Sequence, residues 1–113
     1  MKISVTDPRP HNEEVAEEVA QAIKRVLRSG VYLRGSETQL FEREFADFCG
    51  VRNCVSVANG TDALEIALRA LDINQGEVAC VANAGFYSST SILAVGALPL
   101  YVDVDWESMT MNP

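Results

Sequence analysis

The sequence predicts an α/β fold in which helices pack on an incomplete, mostly parallel sheet, and three observations carry that reading. From Cys54 onward, short apolar runs alternate with helix-period segments in the order strand, helix, strand, helix, strand. The three short runs, Cys54 to Ala58, Val78 to Ala82 and Pro99 to Val104, are apolar on both alternations, as strands are when helices cover both faces of a parallel sheet. Two further helix-period segments come before them. A βαβαβ order of this kind calls for parallel strands with right-handed crossovers.

The elements follow in chain order. Asp7-Pro8-Arg9-Pro10 is a stiff entry, and a helix is expected from Glu13 to Ser29 with Asn12 as its cap. Val15, Val19, Ala22, Ile23, Val26 and Leu27 form its apolar stripe. Glu13, Glu14, Glu17 and Glu18 crowd its start and Lys24, Arg25 and Arg28 its end, the polarity that suits the helix dipole. Gly30 stops it. Ser36 and Gln39 have the spacing of a capping box for a second helix over 36–48, which stops before Gly50. Phe41, Phe45 and Phe48 on that helix read as core. After the strand at 54–58, a helix runs over 61–71 with Glu65 and Arg69 spaced as an i,i+4 pair. Asn74-Gln75-Gly76 turns the chain into the second strand, and Asn83 to Tyr87 form a loop. A helix from Ser88 to Val95, stopped at Gly96, leads to the third strand.

Composition narrows the function classes. At 113 residues the chain is one domain at most, and its net charge of −7 argues against non-specific nucleic-acid binding, which needs a basic face. No window is long and apolar enough to span a membrane, and the N-terminal residues lack the apolar core of a secretion signal, so a cytoplasmic protein is expected. Cys49, Cys54 and Cys80 lack metal-ligand spacing and His11 is far from them, so reduced, mostly buried thiols and no metal site are expected. Asn59-Gly60-Thr61 matches a glycosylation sequon, read here as accidental.

The most informative segment is Val55-Ser56-Val57-Ala58-Asn59-Gly60-Thr61-Asp62-Ala63-Leu64. A strand-like run that meets a glycine turn and then a helix start leaves free N–H groups at the positive end of a helix dipole, which suits a phosphate. A P-loop would need Gly-Lys-Ser/Thr at its end, and a dinucleotide fingerprint would need GxGxxG; this turn has the single Gly60.

Asn59-Gly60-Thr61-Asp62-Ala63-Leu64, followed by Gly96-Ala97-Leu98-Pro99-Leu100-Tyr101-Val102-Asp103-Val104-Asp105, resembles the DegT/DnrJ/EryC1/StrS family of pyridoxal-phosphate (PLP) sugar aminotransferases of fold type I. Ser29 to Glu37 and Phe41 to Ala46 resemble the family's preceding segments, in the correct order. The resemblance implies that the chain is the N-terminal portion of the PLP-transferase large domain, with the rest of that domain and a small C-terminal domain absent. It implies that the backbone at Gly60, Thr61 and Asp62, with the Thr61 hydroxyl, holds the PLP phosphate. An aromatic from the loop after the second strand would stack on the cofactor ring. Tyr87 and Phe86 are the candidates, with Tyr87 favoured; the loop departs from the family's Pro-x-x-Thr-aromatic pattern, which leaves both open. Thr61 as a mere helix cap is the competing reading. Asp103 and Asp105 are read as turn caps, and Tyr32 and Arg34 as supporting or packing residues.

The resemblance also implies a Schiff-base lysine and an acid facing the ring nitrogen. The chain has only Lys2 and Lys24, neither in that context, so no catalytic residue is assigned, and the isolated chain is expected neither to transaminate nor to stay monomeric. For the complete enzyme the expected reaction is amino transfer, with glutamate as donor, to a nucleotide-linked keto-deoxysugar in a homodimer. A non-catalytic remnant of the fold, or a nucleotide-binding α/β module, are the alternatives.

Overall fold

The computed structural model describes residues 6–112, so Lys2 lies outside the described residues. The chain divides into two compact units, Met1–Ser56 and Val57–Pro113.

The first unit is helical. Helix α1 spans Arg9–Glu14 and α2 spans Ala16–Ser29. One helix from Glu13 was expected, but helix begins upstream because Pro10 sits in the first turn, where a missing N–H costs nothing and the fixed φ is already helical. Arg9 also closes a two-pronged ion pair onto Asp7, at 2.8 and 2.6 Å. Asn12 therefore lies inside α1 rather than capping a helix. The break falls at Val15, whose φ of −109° and ψ of 8° leave the helical region. Gly30 ends α2 in the left-handed conformation, φ 67°.

Helix α3 spans Ser36–Cys49. Gly35, not Ser36, is its N-cap, and no side chain caps it. The expected Ser36–Gln39 capping box is absent because the helix starts one residue early and makes Ser36 its first turn. The α2–α3 link is an ion pair instead: Arg25 Nε and Nη2 donate to the two Glu37 oxygens at 2.7 and 3.0 Å. At the far end the Gly50 amide donates to Asp47 O and the Val51 amide to Ala46 O, the paired bonds of a Schellman stop.

The three phenylalanines of α3 do not form a core. Phe41 and Phe45 stack at 5.5 Å and Phe45 meets Phe48 at 6.2 Å, but all three are exposed. They pack on one another along the helix, and Ala46 is the one buried residue among the described residues of this unit. The cysteines are free, but Cys80 alone is buried, with Cys54 half-buried and Cys49 exposed.

The second unit holds α4 (Gly60–Ala70), β1 (Glu77–Val81), α5 (Tyr87–Ala94) and β2 (Leu98–Val102). β1 and β2 pair in parallel, from Glu77 opposite Leu98 to Val81 opposite Val102, with α5 as the crossover. The first of the three expected strands is not formed among the described residues: there, residues 54–58 make no ladder. A strand exists only with a hydrogen-bonding neighbour, and here the Ser56 amide donates to Glu42 Oε1 at 2.8 Å instead. The core is Cys80, Ile92, Val95 and Ala97, with Leu68, Ile73 and Val78 packed on it. Both helices of this unit end in Schellman bonds that feed it. Ile73 N donates to Leu68 O and Ala97 N to Ile92 O. In each case the hydrophobic residue past the stop packs with the one a turn before it.

Candidate active site

The start of α4 is built as the sequence leads one to expect, with one refinement. Asn59 is extended, φ −163° and ψ 175°, and its Oδ1 accepts the Asp62 amide at 2.9 Å. Its Nδ2 donates to Asp62 Oδ2 at 3.1 Å, and its carbonyl accepts the Ala63 amide at 3.1 Å. The Ala63 bond is the first of the helix ladder, and of the amides left over at the helix start Asn59 takes up that of Asp62. The amides of Gly60 and Thr61, and the Thr61 hydroxyl, have no partner among the described residues. Thr61 is therefore not the cap; Asn59 is. The refinement concerns Asp62, whose amide is committed to Asn59 and is not a free donor.

These groups face a cavity of about 680 Å³ lined by Asn59, Gly60, Thr61, Asp62, Leu64 and Tyr87. A Cβ built on Gly60 meets nothing within 4 Å, so the approach to its backbone is open. Of the two candidate aromatics the structure brings Tyr87 to this cavity. Phe86 is the N-cap of α5, exposed, with its carbonyl taken by the Thr90 amide and hydroxyl at 3.0 and 2.8 Å.

Two residues join the elements around the cavity: Ser91, which the sequence reading left unremarked, and Arg69, expected there only as the partner of Glu65. Ser91 is fully buried, and its hydroxyl lies 3.0 Å from Thr61 O and 2.9 Å from Tyr87 O. No local signal in the sequence marks it, since the carbonyl it reaches belongs to another helix. Arg69 makes the expected pair with Glu65 at 2.8 Å and also donates from Nη2 to Ala94 O at 3.0 Å, holding the C-terminal end of α5.

Other expected features fall outside the cavity. Asp105 accepts the Ser108 and Glu107 amides at 2.8 and 3.2 Å, bonds that hold its carboxyl below the usual carboxylate range. Asp103 accepts the Val104 amide. Both carboxylates hold turns. Arg34 sits in the left-handed region, φ 51°. Tyr32 is exposed beside a cleft of about 30 Å³. Among the described residues, His, Cys, Asp and Glu nowhere gather in a group able to hold a metal ion, and no helix is long and apolar enough to cross a membrane.

This arrangement defines an α/β protein in which the start of a helix and an aromatic ring line one cavity. The sequence profile of the DegT/DnrJ/EryC1/StrS aminotransferase family matches residues 13–113, and the chain belongs to that family. It is 42% identical over 112 residues to the dTDP-3-amino-3,6-dideoxy-alpha-D-galactopyranose transaminase of Aneurinibacillus thermoaerophilus, a match that covers 98% of this chain and 31% of that protein. The crystal structure of DesV from Streptomyces venezuelae, solved with a ketimine intermediate, superposes with a TM-score of 0.93 at 37% identity, covering 99% of this chain and 30% of DesV. NtdA of Bacillus subtilis, solved with its cofactor PMP bound, gives a TM-score of 0.78 at 28% identity over 93% of this chain and 25% of NtdA. The neighbours are fold-type-I aminotransferases, and the chain spans under a third of the length of the relatives it matches.

Proposed function

We propose that this chain is the cofactor-phosphate half-site of a PLP-dependent aminotransferase that delivers an amino group to a nucleotide-linked keto-deoxysugar. One observation carries the reading: the Gly60 and Thr61 amides and the Thr61 hydroxyl stand unpaired at the positive end of α4, beside Tyr87. Three convergent donors with an open approach suit a phosphate monoester. Asn59 keeps the Asp62 amide occupied, so the phosphate meets the first two amides of the helix. Tyr87 is the aromatic available to the pyridine ring. PLP bound there would supply the electron sink that amino transfer requires.

The galactopyranose transaminase supports the substrate class, since its name is that of a dTDP-amino-sugar transaminase. We take glutamate as the amino donor and a cytoplasmic homodimer as the working form. Lys24 lies in α2 among cationic residues, so the lysine that bonds the cofactor belongs to a part of the protein outside these residues. The 113-residue chain alone is therefore inactive. The test is a PLP titration of the full-length protein with Thr61→Val beside wild type, followed by an assay with glutamate and a dTDP-linked keto-deoxysugar. Loss of one charge-assisted hydrogen bond weakens PLP binding roughly tenfold or more. Wild type that takes up no PLP, or a Thr61→Val variant that binds it equally well, would overturn the assignment.

A further inference from the structure

We infer that Ser91 is a positioning residue which fixes the phosphate turn against Tyr87, an inference that rests on the reading of the cavity given above. Ser91 has no exposed surface, and its single hydroxyl proton is shared between Thr61 O at 3.0 Å and Tyr87 O at 2.9 Å. Thr61 belongs to the first turn of α4 and Tyr87 opens α5. One buried group therefore ties together the two helix starts that border the cavity. A serine that bonds its own i−4 carbonyl is common in helices; reaching across to a second helix is not part of that habit.

A second, independent observation bears on the same ring. A Cβ added at Gly85 would stand 2.7 Å from Cε2 and 2.9 Å from Cδ2 of Tyr87. The Tyr87 ring thus lies directly against the Gly85 backbone, and any side chain there displaces it. Gly85 does not have a positive φ, so an alanine at this position acts through the ring and not through backbone strain. Ser91 holds the main chain of Tyr87, and the bare Gly85 leaves room for its ring.

The placement matters because a ligand with a phosphate at one end and an aromatic ring at the other needs both contacts at a set separation. When the tie is lost, each contact survives but the two are no longer held in register, and affinity falls while the fold stays. Full-length protein is titrated with PLP by absorbance, comparing wild type, Ser91→Ala, Gly85→Ala, Thr61→Val and Thr90→Ala. Thr90 is exposed and bonds only Phe86 O, so it serves as the control.

Ser91→Ala and Gly85→Ala each raise the PLP Kd roughly fivefold, about one hydrogen bond's worth, and alter the circular dichroism of the bound cofactor; Thr90→Ala does neither. A merely structural role for Ser91 would lower the melting temperature and leave the Kd and the cofactor signal at wild-type values, and that result overturns the inference. If Ser91→Ala does not fold, Gly85→Ala decides by the same two readouts. Failure of wild type to bind PLP, or indifference of Thr61→Val, condemns the functional reading instead, so the two failures are told apart.

Discussion

Gly96 shows how a residue of the family motif earns its place without touching a ligand. Its φ is +88°, and a Cβ there would come within 2.9 Å of the Asn74 carbonyl oxygen. Two separate penalties meet, one for the left-handed backbone and one for a clash with an immovable main-chain atom. Gly96→Ala is expected to lower stability by about 2 kcal/mol or more, measured by urea denaturation of the protein. Asp72 presents the opposite case. It occupies the same left-handed stop position after α4, φ 58°, without being glycine. Asp72→Gly should raise stability by about 1 kcal/mol, seen as a higher denaturation midpoint with an unchanged slope. At this scale the sequence was readable wherever local geometry decides: Gly30, Gly50 and Gly96 all end helices in the left-handed region as expected. Ser91 was not readable, because its role depends on which carbonyl of a distant helix lies above it. The loop sequence left Tyr87 and Phe86 both open as the ring residue, because which of the two falls at the N-cap of α5 is set by where that helix starts.

Helix ends also govern what the elements can do. Asn59 caps α4 from outside the helix, and Asn59→Ala is expected to cost about 1 kcal/mol while releasing the Asp62 amide toward the cavity. Urea denaturation reports the first effect, and the PLP titration of the full-length protein reports whether a third free amide alters affinity. Between α2 and α3 the link is electrostatic. The Arg25 guanidinium beside Glu37 holds that carboxyl below its ordinary range. Because the folded value is the lower one, the contribution is complete above the unfolded carboxylate value, near 4.3, and fades as pH falls through the folded one. Far-UV circular dichroism followed from pH 7 down should therefore show helix loss in acid. With Glu37→Gln that acid-dependent component should shrink, and in high salt it should weaken, since the pair is exposed to solvent. Helix periodicity made four of the five helices recognisable, and the same pattern joined α1 to α2, because amphipathic spacing does not register the break at Val15. The strand expected at 54–58 failed for a different reason. Apolar alternation tells that a segment suits a sheet, whereas a ladder needs a neighbour, and neighbours are not written in the segment itself.

The two units differ in how much apolar surface they bury. The second has a core of Cys80, Ile92, Val95 and Ala97 between α4, α5 and the sheet. The first buries only Ala46 among its described residues, while Ile23 and Leu27 on α2 and Phe48 on α3 remain 54%, 61% and 86% exposed. Those side chains lie on the stripe that the sequence marked as interior, and the structure leaves them exposed: amphipathic spacing marks a face suited to burial and does not name what covers it. Exposed leucine, isoleucine and phenylalanine on consecutive helices form the kind of apolar face that water disfavours by about 25 cal/mol per Å², and isolated globular domains seldom leave such faces open. The parallel pair β1–β2 adds strand edges that are unpaired among the described residues, and such edges are templates for a further strand. The 113-residue chain produced alone is therefore expected to self-associate. Sedimentation velocity over a hundredfold range of concentration should show the mean mass rising with concentration. Phe48→Ser together with Ile23→Ser should move that rise to higher concentration, since each removes apolar area without touching the buried Ala46. A single monomeric boundary at all concentrations, joined to one cooperative melt, would show that the helical stripes of the first unit are tolerated in water as they stand.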